Sequence, residues 1–208
     1  MISSFNELHQ MVKDSQPKRV ALVAAEDPVL IEAAKRAQEE GLARFILFGN
    51  SRKIESLNPP DASSFEIVDS QNPAIDAINY IHADKADLLM KGKIQTGDLL
   101  RAILNRDTGL RQGELLNHIA VIESPHYHKL LFISDGGINL HLDENVYQQM
   151  VVNITQYLKL LGIESPHFGM MTLVETVSKK IPETIIAQKV VKVLSKKVSI
   201  EGPIAPDV

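Results

Sequence analysis

Arg19–Ala25, RVALVAA, is a strand-length run with no polar residue after its first position. A strand of that composition has no face to offer to water, so it belongs inside a sheet covered on both sides. Ala43–Phe48, ARFILF, repeats the pattern, Phe65–Val68 repeats it more weakly, and Ala86–Leu89 forms a fourth short run. Helical patterns lie between them. Pro28–Glu40 spaces Leu30, Ala33, Ala34 and Ala37 along one side and meets Gly41 at the position of a C-cap. Pro73–Ile81 and Thr96–Leu104 are read as the next two helices. Apolar strands alternating with helices specify an α/β fold with a parallel sheet and right-handed crossovers.

The pattern changes beyond residues 112–117. His118–Glu123 (HIAVIE) and Leu130–Ser134 (LLFIS) are two strands joined by a short polar link, which predicts a hairpin. Asp143–Leu161 follows as the longest helix, with Val146, Met150, Ile154, Leu158 and Leu161 in one stripe and Gly162 at its stop. His167–Val174 is read as a strand and Pro182–Leu194 as a helix with proline in its first turn. A last strand is expected to begin at Val198–Ile200 and to deliver EGPIAPDV as a loop. Two domains are expected, 1–115 and 116–208. The second is expected to be incomplete at its C-terminal end, the chain being part of a longer protein.

Composition narrows the chemistry. The 208 residues contain no cysteine, so disulfides, thiolate metal sites and cysteine nucleophiles are excluded. A net charge of −4 argues against general nucleic-acid binding. No apolar run reaches the roughly 20 residues of a membrane span. The N-terminal segment MISSFNELHQMVKDS places Phe5, Leu8 and Val12 on one side of a helix and lacks the basic and long apolar regions of a signal peptide. A cytoplasmic protein is expected.

Against that acidic background, Lys91–Arg111 holds five bases and two acids, a local balance of +3. Lys91, Gly92 and Lys93 are expected in the turn after a strand, and Thr96 at the start of a helix. Free N–H groups, a positive helix end, a glycine that lets the backbone approach and neutralising lysines together describe an anion site. A solvated helix face accounts for the same charges. Three other loops are expected at the carboxyl ends of strands, where open α/β sheets bind ligands. They are Ala25–Asp27, Ser134–Asn139 (SDGGIN) and Glu201–Asp207. Asp135 and Asn139 offer polar contacts, although Gly136-Gly137 also suits a tight turn. His126 and His128 lie two apart in the hairpin link, without a third ligand fixed by spacing; no metal is expected. Glu175 is either a general acid or base or a solvated loop residue. Lys179 and Lys180 precede the last helix and either meet an anion or face solvent.

Five segments then resemble, in order, the phosphate acyltransferases of the phosphotransacetylase/phosphotransbutyrylase family, and the butyryl branch most closely: LLMKGKIQTGDLLRAIL, TGLRQGELLNHIAVIE, HKLLFISDGGINL, VETVSKKIPET and EGPIAPD. The resemblance implies two three-layer α/β domains of the isocitrate/isopropylmalate dehydrogenase-like kind, with the active site in a cleft between them. It implies a homodimer formed through the second domain. The implied reaction joins acyl-CoA and phosphate to give acyl phosphate and CoA. Its substrate is a short or branched, butyryl-like acyl thioester, and no cofactor is needed beyond coenzyme A as substrate. Neither a membrane nor a nucleic acid is an implied partner. Carried onto this chain, Lys91, Gly92 and Thr96 bind phosphate or acyl phosphate, with Arg101 and Arg111 as helpers unless they only pair with Asp98 and Glu114. Asp135 and Asn139 line the cleft from the second domain, and Gly202-Pro203 with Asp207 stands at its edge. The residue acting as acid or base is not assigned, because the Ser-Arg segment that serves the family's active site has no counterpart in this sequence. His141-Leu142 stands where relatives tend to carry a proline, and a local change is expected there.

Two other readings stay open at this level. One is a non-catalytic CoA- or phosphate-binding member or fragment of the family. The other is a dehydrogenase-like enzyme of the same fold, against which the lack of clustered aspartates for a metal-bound hydroxy acid argues.

Overall fold

The computed structural model describes residues 2–57, 65–113 and 115–205. The chain forms two compact units, one of residues 6–112 and one of residues 1–5 with 113–208.

The unit of residues 6–112 is a layered α/β structure. After helix α1 (Phe5–Lys13), which buries none of its residues, the chain alternates strand and helix. The order is β1 (Lys18–Val23), α2 (Pro28–Glu39), β2 (Ala43–Gly49), α3 (Ser51–Leu57), β3 (Glu66–Asp69), α4 (Pro73–His82), β4 (Leu88–Lys91) and α5 (Thr96–Ile103). The strands form one parallel sheet in the order β3-β2-β1-β4. Alternation along the central strands divides the core in two. Val20, Leu22, Phe45 and Leu47 face α2 and α3 through Ile31, Ala34 and Ile54. Ala21, Val23, Ile46 and Phe48 face α4 and α5 through Ala74, Ala77 and Leu99. Leu22, Leu47, Phe48 and Ile54 are fully buried, and each contributes roughly 1.5–3 kcal/mol from its removal from water.

Local chemistry sets the ends of these elements. The Asp27 carboxylate accepts the N–H groups of Val29 and Leu30 and caps α2. Gly41 takes φ +75° just beyond the same helix. Asn50 Oδ1 accepts the Lys53 N–H at 3.0 Å and starts α3. That cap is the signal for a short helix that the sequence reading passed over. Arg19 joins β1 to the segment before β4, since its backbone N–H and its guanidinium both donate to Asp87 and its Nη1 donates to Asp84 O.

In the other unit, β5 (Ala120–Ile122) and β6 (Leu131–Ile133) form the expected antiparallel hairpin. α6 (Glu144–Leu160) begins at the Asp143 cap, whose carboxylate accepts the Val146 N–H. β7 (His167–Met171) and β8 (Ser199–Ile204) run parallel, connected through α7 (Pro182–Leu194). Val151, Met170, Ala187, Val190, Leu194 and Ile200 make a core between α6, α7 and one face of this pair.

Two strands differ from expectation in ways that bear on the site. β4 spans Leu88–Lys91, two residues later than the apolar run predicts. Ala86 is buried but stands before the strand, and Lys91 is its last residue rather than the start of a turn. β8 runs through Gly202 and Pro203. The predicted loop therefore begins only at Ala205, and Asp207 lies outside the described residues. Proline is tolerated there because, among the described residues, β8 has a single partner strand, leaving one side without ladder bonds.

Candidate functional site

All four strands of the parallel sheet end at one edge, where Val23 is level with Lys91 and Phe48, and Gly49 is level with Asp69. The loops at this edge are welded together. Gly92 N–H donates to Val23 O and Lys93 N–H to Ala24 O, both at 2.8 Å. Ala24 itself takes φ +57°, unusual for a residue with a Cβ. A Cβ on Gly92 would lie 2.4 Å from the oxygens of Val23 and Ala24. Gly92, expected among the phosphate-binding residues, is packed against this backbone. Its missing side chain admits the neighbouring backbone rather than an anion, and its N–H is already used.

What remains for an anion is the group that follows. Lys91, Lys93 and Thr96 are exposed, and among the described residues no carboxylate pairs with either lysine. Among the described residues, Lys91 Nζ approaches the Gly92 carbonyl, at 3.5 Å. α5 starts at Thr96 without a side-chain cap. The Asp98 N–H bonds Gln95 O, and the Thr96 and Gly97 N–H groups ahead of it have no intrahelical acceptor, at the positive end of the helix.

Arg101 is committed elsewhere. Its Nη1 donates to Asp98 Oδ1 at 2.7 Å, one turn back on the exposed face of α5. This is the bland pairing that the spacing allowed. Arg111 is exposed, and its expected partner Glu114 lies outside the described residues.

Two features of this edge escaped the sequence reading. Glu26, directly after RVALVAA, packs its carboxyl group in the space above Gly49 and accepts the Asn50 N–H at 2.8 Å. A groove of about 440 Å³ runs between the start of α4 and the side of α5. Asn72, Ile75, Ile78, Ile94, Arg101 and Asn105 are among its lining residues. The groove was hidden because its walls come from two helices whose polar residues looked like ordinary surface.

In the other unit, SDGGIN forms a closed hydrogen-bonded knot. Asp135 Oδ1 accepts the N–H groups of His118 and Ile138, and its Oδ2 accepts the Asn139 N–H at 2.8 Å and Asn139 Nδ2 at 2.7 Å. Burial alone would raise the Asp135 carboxyl, but these donors outweigh it and hold the group below the ordinary carboxylate range. Asn139 Nδ2 also donates to Leu116 O, and Asn153 Nδ2 donates to Leu115 O and Asn117 Oδ1. The knot fixes the segment that leads into β5. Gly136 is needed because a Cβ there would lie 2.8 Å from the His118 ring.

The remaining candidates are dispersed. His126 and His128 are exposed, and no cluster of metal-ligating side chains exists among the described residues. Glu175, Lys179 and Lys180 are exposed in the approach to α7. The buried residue there is Thr184, whose Oγ1 accepts the Ser178 N–H and donates within the same turn. His141 is exposed beside a second groove that Tyr147 and Glu183 also line. No helix among the described residues is long and apolar enough to cross a membrane.

Comparison with known proteins agrees with the architecture. The family model described as phosphate acetyl/butaryl transferase matches residues 62–208. A phosphate butyryltransferase of Clostridium acetobutylicum is 34% identical over 218 residues, a match covering all of this chain and 72% of that protein. A probable phosphate butyryltransferase of Bacillus subtilis is 34% identical over 198 residues, covering 91% of this chain and 66% of that protein. Among solved structures, a branched-chain phosphotransacylase from Enterococcus faecalis superposes with a TM-score of 0.80 at 23% identity, covering 91% of this chain and 69% of that one. A phosphotransacetylase from Streptococcus pyogenes superposes with a TM-score of 0.77 at 14% identity, covering 97% and 73%. The fold is that of these phosphotransacylases, and the chain belongs to the phosphate acetyl/butyryl transferase family.

Proposed function

We propose that this chain is a phosphate acyltransferase that moves a short or branched, butyryl-like acyl group between coenzyme A and phosphate. The observation that carries the reading is the match along the whole chain to a phosphate butyryltransferase at 34% identity. The chemistry suits the residues present. Phosphate attacks the thioester carbonyl in one direction, and the CoA thiol attacks the acyl phosphate in the other. Both directions need anion neutralisation, positioning and support for a developing oxyanion. Lys91, Thr96 and the first turn of α5 supply an exposed cationic and N–H-donating patch for phosphate. Gly92 and Asp135 serve this patch and the β5 approach as braces rather than as ligands. In this reading the protein uses no cofactor beyond its CoA substrate, works in the cytoplasm and acts as a homodimer. Incubation with butyryl phosphate and CoA tests it. Loss of hydroxylamine-reactive acyl phosphate that depends on CoA supports the reading, and acyl phosphate left unconsumed by folded protein contradicts it.

A further inference from the structure

The face of the β7–β8 pair that turns away from α7 carries a serine, a histidine and a carboxylate in one line. His167 and Ser199 are register partners on the two parallel strands, and Glu201 lies two residues further along β8, opposite Gly169. His167 Nδ1 is 2.7 Å from Ser199 Oγ, and His167 Nε2 is 2.7 Å from Glu201 Oε1. A Cβ on Gly169 would meet Ile204 Cδ1 at 3.0 Å. All three residues are exposed, with His167 and Glu201 at 54% and 63%.

The hydrogen-bond roles follow from the partners. An ionised carboxylate only accepts, so Nε2 must carry the proton that it shares with Glu201. In the neutral ring Nδ1 is then an acceptor, and the serine hydroxyl must donate to it. This is the polarity of an activated serine: the carboxylate orients the ring, and the free ring nitrogen draws on the hydroxyl proton.

We propose that Ser199 is a nucleophilic serine, activated by His167 and Glu201, that accepts an acyl group from activated acyl donors. In the step, Ser199 Oγ attacks the acyl carbonyl carbon, and the bond from that carbon to the oxygen of the leaving phosphate or phenolate breaks. The hydroxyl proton passes to His167 Nδ1 and then to the departing oxygen. The product is an ester on Ser199, and no oxidant, metal or further reactant enters. The site shares no residue with the phosphate patch at Lys91 and Thr96, and its reactivity stands independently of the transferase reading.

The test uses p-nitrophenyl butyrate as acyl donor, with nitrophenolate release followed by absorbance and the adduct located by peptide mass spectrometry. The expected result is one butyryl group on the peptide containing Ser199, absent in Ser199→Ala. His167→Gln should slow its formation by at least about tenfold, a modest share of what a positioned base supplies in a closed site. Glu201→Gln should slow it less, because the ring remains but its tautomer is released. Circular dichroism of each variant confirms that these exposed substitutions leave the fold intact. Absence of a butyryl adduct at Ser199 in the folded wild-type protein overturns the proposal. So does an adduct that forms at an unchanged rate in His167→Gln, which would make Ser199 an ordinary surface hydroxyl.

Discussion

Gly92 donates its backbone N–H to Val23 O at 2.8 Å, and a side chain on residue 92 would stand 2.4 Å from that same oxygen. The end of β4 is thereby locked to the end of β1, and Lys91 and Thr96 are presented from a fixed base. Gly92→Ala must push two backbone carbonyls aside. It should cost at least about 1–3 kcal/mol, as overpacking of a close contact does, and urea unfolding should show a lower midpoint. Gly97→Ala is the matched control, because a Cβ there meets nothing within 4 Å. It should leave stability unchanged or raise it by up to about 1 kcal/mol through the helix preference of alanine.

The Asp135 knot makes a second prediction. Asp135→Ala removes the acceptor of four N–H donors, of which the two on Asn139 are part-buried, and should destabilise the protein by about 1–3 kcal/mol. The folded carboxyl lies below its usual range, so its contribution is complete above the unfolded value near 4 and is lost as pH falls through the lower folded value. Wild-type stability should therefore drop on acidification below about pH 4, and Asp135→Asn should show a shallower drop. An equal slope in both proteins would sink the assignment.

Arg19 and Asp87, at the end of the parallel sheet where β1 and β4 begin, carry a pH dependence of the same sign. The Arg19 side chain and then its backbone N–H hold the Asp87 carboxyl well below the ordinary range. This stabilisation is present at neutral pH and disappears as pH falls through the folded value. Asp87→Asn should flatten the acid limb of unfolding curves while lowering the midpoint at pH 7. Arg19→Lys should not restore the wild type, because lysine cannot reproduce the fork that reaches both Asp87 and Asp84 O.

Steady-state kinetics separate the patch from its surroundings. Lys91→Ala should raise the KM for phosphate by about tenfold, the loss of one charge-assisted contact, with a smaller change for the acyl thioester. Arg101→Gln should change it by less than about threefold, because an exposed arginine paired to Asp98 contributes little. Equal effects of the two substitutions would show that general surface charge, not the patch, attracts phosphate.

The central sheet was legible because β1 and β2 are apolar on both faces, and only a covered parallel sheet explains that. The apolar pattern places β4 too early because, among the described residues, the strand pairs with β1 alone, so its burial carries no clear period, and because buried Ala86 extends the apolar run ahead of the strand. β8 was cut short because Gly-Pro reads as a turn wherever strand partners are unknown. The patch proposed to hold phosphate was legible as lysines at a strand-to-helix junction. The saturation of Asp135 was not, since one of its donors, His118, lies 17 residues away and only the folded chain brings it near. The same holds for Gly92, whose reason for being glycine sits on another strand.

The most direct measurement follows thiol release when the protein is mixed with butyryl-CoA, with and without inorganic phosphate. The account predicts release that requires phosphate, saturates with it, and weakens in Lys91→Ala. Folded protein that releases no thiol, or releases it at the same rate without phosphate, would contradict it.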